Sequence, residues 1–146
     1  MTRAFARLIF LIALSALLSA PSANAQEGPA HAGLSLELNR LEQNGPACRA
    51  TFVATNGFDE NLKETAFEVV TFDRRGLIDL MTVIDFGALP EGKTMVRRFD
   101  LPQTVCGEMS RILVNSVSRC AGETVDIARC RASFTTENHA EIKFGL

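Results

Sequence analysis

Leu34, Leu36 and Leu38 alternate with Ser35, Glu37 and Asn39, and this period of two returns in short runs to the end of the chain. Such alternation puts apolar side chains on one face of an extended strand and polar ones on the other, a pattern a helix cannot use. Cys48, Ala50, Phe52 and Ala54 alternate in the same way with Arg49, Thr51, Val53 and Thr55. From Ala66 to Asp73 the residues are β-branched and aromatic, with Phe67, Val69 and Thr71 on one side and Val70 and Phe72 on the other, as in a strand covered on both faces. Residues 77–86 fit either period; Thr82, Val83, Ile84 and the flanking turns decide for a strand. Thr94 to Phe99, Met109 to Val117, and Ile142, Phe144 and Leu146 supply further strands. Asn44-Gly45-Pro46, Asn56-Gly57, Asp73-Arg74-Arg75-Gly76 and Leu89-Pro90-Glu91-Gly92 punctuate these runs as turns. Short strands spaced about 8 to 12 residues apart predict an all-β chain, an immunoglobulin-like antiparallel β-sandwich of about seven strands.

The residues ahead of Leu34 read differently. Arg3 and Arg7 precede an uncharged apolar run, Leu8 to Ala20, which Pro21 breaks before the small residues of Ala23-Asn24-Ala25. Positive start, apolar middle and small-x-small end make a secretory signal peptide over residues 1–25. The run is about 13 residues long, against roughly 20 for a membrane span. Cleavage after Ala25 leaves a loose lead at 26–33 and a single sandwich domain at 34–146, soluble and either periplasmic or secreted. Loss of Arg3 and Arg7 leaves 13 cations against 17 acids, a net charge of −4. No later apolar stretch is long enough to span a bilayer.

Export gives the four cysteines their meaning. An even number in an oxidising compartment predicts disulfides. Cys120 and Cys130 flank a short Gly-containing segment and close a hairpin-like loop, which leaves Cys48 and Cys106 to join distant strands. Neither the Cys-x-x-Cys of redox enzymes nor the close pairs of zinc sites occurs.

The stretch from Asn56 through Phe67-x-Val69-x-x-Phe72-Asp73-x-x-Gly76 to Leu89-Pro90-x-Gly92-Lys93-Thr94 and Phe99 resembles FxLYD-type and related bacterial extracytoplasmic sandwich domains. The resemblance covers about a third of the chain and implies a fold, without an activity.

Several function classes are disfavoured by composition. Scattered charge of mildly acidic sign gives no electrostatic reason to bind nucleic acid or an anionic membrane. With ten Phe but no Trp or Tyr, the chain lacks the usual anchors of interfaces and sugar platforms, and Phe52, Phe67, Phe86 and Phe99 read as core. A hydrolase would need a nucleophile beside a held histidine. Glu137 and Glu141 flank His139, but no nucleophile motif accompanies them, and no catalytic residue is assigned. Glu137, His139 and Glu141, at period two, make an alternative divalent-metal site, and Met81, Met95 and Met109 are imaginable copper ligands with no Met-x-x-Met cluster. Arg74, Arg75, Arg97 and Arg98 are candidate partner contacts. By elimination the expectation is a non-catalytic module without a cofactor, binding another periplasmic or envelope protein through sheet edges or end loops.

Overall fold

The computed structural model describes residues 32–146. The signal peptide expected over residues 1–25 and most of the expected lead lie outside these. Among the described residues eight strands form, β1 (Leu34–Asn44), β2 (Ala47–Asn56), β3 (Glu64–Asp73), β4 (Ile78–Asp85), β5 (Thr94–Leu101), β6 (Met109–Ala121), β7 (Thr135–Asn138) and β8 (Lys143–Gly145), with an α-helix, α1 (Ile127–Ala132), between β6 and β7. They make two four-stranded sheets, β5-β2-β1-β7 and β4-β3-β6-β8, packed as a sandwich. The first six strands pair antiparallel, and they divide between the sheets as the A, B, E and C, C′, F strands of an immunoglobulin-like sandwich do.

Period-two alternation carries straight into burial. Leu34, Leu36 and Leu38 of β1 and Ala50, Phe52 and Ala54 of β2 are buried, facing Phe67 and Val69 of β3 and Ile112 and Val114 of β6. A two-residue loop, Gly45-Pro46, joins β1 to β2, and Gly45 sits at φ +57°, where glycine costs nothing sterically. Residues 78–85 are strand, as their β-formers dictate. The core aromatics are all phenylalanine and run as one chain of ring contacts, Phe144 to Phe52, Phe99, Phe86, Phe67 and Phe134, with successive centroids 5.4–6.2 Å apart. This chain crosses from one sheet to the other.

The C-terminal quarter departs from the expected all-antiparallel pattern. β7 lies parallel to β1, and β8 lies parallel to β6. Two strands reached in succession on opposite sheets meet neighbours laid down much earlier, and nothing in a strand's own residues sets that direction. β7 itself, Thr135-Thr136-Glu137-Asn138, has no buried residue. Its partner's backbone makes it a strand.

Both disulfides form with the expected partners. Cys48 of β2 bonds Cys106, in a 3₁₀ turn just ahead of β6, and so ties one sheet to the other. Cys120 of β6 bonds Cys130. The loop between that pair is no hairpin. Asp126 caps a helix by accepting the Arg129 N–H at 2.8 Å, and Cys130 sits on the helix, buried against β6. The Asp126-x-x-Arg129 capping pattern was the local sign of it.

Two further ties hold the helical end. Gly33, assigned to the loose lead, is buried with φ +145°, and a Cβ there would lie 2.5 Å from the Ser133 carbonyl oxygen. Its own carbonyl accepts the Gly57 N–H at 2.7 Å. Glu60 reaches across to the loop before α1 and accepts from the Val125 N–H at 2.6 Å and the Thr124 N–H and hydroxyl at 3.0–3.1 Å. Desolvation pushes the Glu60 carboxyl upward, but these donors outweigh it and hold it below the ordinary value of 4.5. A carboxyl with a depressed folded value stabilises the fold above its unfolded value, and that contribution is lost as pH falls through the folded one. Glu60→Gln should therefore be less stable than the parent at neutral pH, with the gap closing as pH drops below 4.5. Urea titrations followed by far-UV circular dichroism at both ends of that range measure it; a gap that stays constant would show that the charge on Glu60 plays no part.

Candidate functional site

The outward faces of the two sheets differ in character, and the difference locates two candidate surfaces.

On the sheet β4-β3-β6-β8, the outward row follows from register. Phe72 pairs with Ile78 and Arg111, Val70 with Met81 and Leu113, and Glu68 with Val83 and Ser116. Phe67 and Val69 belong to the core, so their neighbours in these pairs face out. Ile78, Met81 and Val83 are 61, 55 and 47 % exposed, and Leu77 beside them is 56 % exposed. Val70 faces the same way yet is buried beneath this row. β4 is also the terminal strand of its sheet, with its second edge unpaired among the described residues. The exposed apolar side chains thus gather along one sheet edge. Charges of both signs frame them. Arg111 lies over the Phe72 ring at 5.9 Å, and Arg119 pairs with Asp85 at 2.5 Å.

The outward face of β5-β2-β1-β7 is mostly polar, with Val96 of β5 its exposed large apolar side chain among the described residues. Arg49 holds Asp100 across β2 and β5 at 2.7 Å, and this bond, with the Arg49 charge, holds the Asp100 carboxyl below the usual carboxylate range. At the other edge, Glu37 and Glu137 stand directly opposite one another in the parallel pairing of β1 and β7. Just beyond β7, the His139 N–H donates to the Leu38 carbonyl at 2.9 Å, which continues the ladder and brings the imidazole back over β1. His139 Nε2 lies 3.8 Å from Glu37 Oε1, and one ligand atom each from Glu37, Glu137 and His139 falls within 4.8 Å of the others. Asn39, at a bulge in β1, donates to Glu37 at 2.7 Å and steadies it. No ion is present.

The candidates from sequence are redistributed by this geometry. Glu137 and His139 come together as expected, but Glu141 does not join them; Glu37 takes its place. The chain turns after His139, so the period-two spacing that aligned 137, 139 and 141 does not continue. Met81 is exposed on β4, Met95 is half-buried on β5 and Met109 is buried at the head of β6, so the three serve no common site. The arginines make no single patch. Arg75 pairs with Asp73 in its own turn at 2.9 Å, and Arg74 donates to the Gly107 carbonyl, tying the β3–β4 turn to the 3₁₀ turn. Arg97 and Arg98 are consecutive on β5 and project to opposite faces. Sequence reasoning missed Glu37 and the outward row of β4; the run Leu77-Ile78-x-x-Met81-x-Val83 was the available signal for the second.

No protein-family model matches the chain, and no curated protein matches it. Among solved structures, IrmA from Escherichia coli is similar in outline: 13 % identical, with a TM-score of 0.48, covering 75 % of this chain and 95 % of that one.

Proposed function

We propose that this protein is an exported, non-catalytic binding module whose partner is another protein of the cell envelope, docked along β4 and the outward face beside it. The observation that carries this reading is the exposed row Ile78, Met81 and Val83 at an open sheet edge. Contiguous exposed apolar surface rimmed by polar groups is the mark of a protein contact. A free strand edge accepts an added strand, and the side chains standing beside it select the partner. Met81 supplies the adaptable surface that a chain without Trp or Tyr cannot draw from aromatics. The rim mixes Arg111 and Arg119 with Glu68 and Asp85, so no single-sign field favours a polyanion or an anionic lipid surface.

The two disulfides are compatible with an extracellular location, and among the described residues no helix is long and apolar enough to cross a membrane. Periplasmic residence after removal of residues 1–25 belongs to the same proposal.

A photo-crosslinker at Met81 in the producing cells should yield one discrete heterologous adduct, while the same group at Thr51, on the polar sheet, should not. Met81→Lys with Val83→Lys should abolish the adduct and change stability by no more than about 0.5 kcal/mol, since both side chains are exposed. Recovery of monomer alone, or of a homodimer alone, would overturn the reading.

A further inference from the structure

We infer that Glu37, Glu137 and His139 form a binding site for a borderline divalent cation of the zinc class, on the polar sheet and separate from the β4 surface. Three features carry it. First, the three side chains come from two hydrogen-bonded strands and the residue after the second, so a backbone ladder holds them together. Second, their ligand atoms already lie within 4.8 Å of one another. Donors bound to one zinc ion at about 2.0–2.2 Å must lie closer together than this, so rotamer shifts on exposed side chains complete the approach with no backbone movement. Third, Glu37 and Glu137 stand directly opposite one another in register, so the ladder presents both carboxylates on the same side of the sheet.

The donor set selects the metal. An imidazole nitrogen beside two carboxylates suits zinc and its neighbours, whereas calcium and magnesium take oxygen donors alone. Three protein ligands leave the remaining position to water, and Asn39 on Glu37 fixes one carboxylate for binding. Because the site is exposed and open, its affinity is modest.

Zinc titration of the purified protein by calorimetry tests this, with calcium as contrast. The expected result is one saturable zinc site with Kd of about 10 μM and no calcium site of comparable strength. His139→Ala and Glu37→Gln should each weaken zinc binding at least about tenfold, while Glu141→Gln leaves it unchanged. Zinc should also move the imidazole signals of His139 in two-dimensional NMR. Each variant's circular dichroism spectrum should match the parent, so that loss of binding is not loss of fold. Absence of saturable zinc binding would overturn the inference. So would binding that survives His139→Ala and Glu37→Gln.

Discussion

Replacing Cys48 and Cys106 together with alanine should cost the protein about 4 kcal/mol. The bridge spans 58 residues, and closing so long a loop removes more freedom from the unfolded chain than the ten-residue link between Cys120 and Cys130 does. By the same chain-entropy relation the shorter bridge contributes about 2.5 to 3 kcal/mol. The two bridges also do different things in the folded state. Cys48–Cys106 fastens β2 of one sheet to the approach of β6 in the other, so its loss frees the sheets to part. Cys120–Cys130 fastens only α1 to β6, so its loss should loosen the helical end and leave the sandwich closed. Because the chain has neither Trp nor Tyr, unfolding is best followed by far-UV circular dichroism in urea. A midpoint shift for the long bridge smaller than that for the short one would overturn this ranking. Peptide mapping without reduction checks the connectivity itself, and a Cys48–Cys120 link would refute it.

Phe52→Ala should destabilise the fold by about 3 to 5 kcal/mol, comparable to loss of the long bridge. Phe52 is fully buried, touches both Phe99 and Phe144, and is the junction at which β8 joins the aromatic chain. Its removal deletes apolar contact and leaves a cavity that rings held by two sheets cannot collapse to fill. Phe144→Ala is the informative comparison. That ring is only partly buried at the end of the chain and should cost distinctly less. Equal losses from the two substitutions, measured as urea midpoints, would mean that the C-terminal strand is as central to the core as β2.

How much of this was legible beforehand depends on how far apart the interacting residues lie. The period-two runs of β1, β2 and β3 are read from residues two apart, and each became a strand with the expected face buried. The cysteine partners followed from loop length, which is also a property of the chain alone. Missed features fall into two groups. The helix α1 is short and carries one buried residue, Cys130, so it has no periodic apolar signal; only the cap at Asp126 announced it. β7 has no buried residue at all and is a strand because β1 offers it an edge. The resemblance to FxLYD-type domains rests on residues 56–99 and remains an expectation about that segment.

The two candidate sites divide along the same line. The apolar row on β4 was present in the sequence as Leu77-Ile78-x-x-Met81-x-Val83, but period alone does not say which face of a strand lacks a second layer. Position at the end of the sheet order made it surface. The acid–imidazole cluster was half visible, in Glu137 and His139, since they are two apart. The third member comes from β1, and only the parallel register of β7 sets Glu37 opposite Glu137. Sequence by itself determined the strands other than β7, their turns, the all-phenylalanine core and the disulfide partners, because each arises from neighbours along the chain or from loop length. Tertiary structure decided strand direction at the C terminus, the face left open on β4 and the partner of Glu137, because each depends on which distant backbone lies alongside.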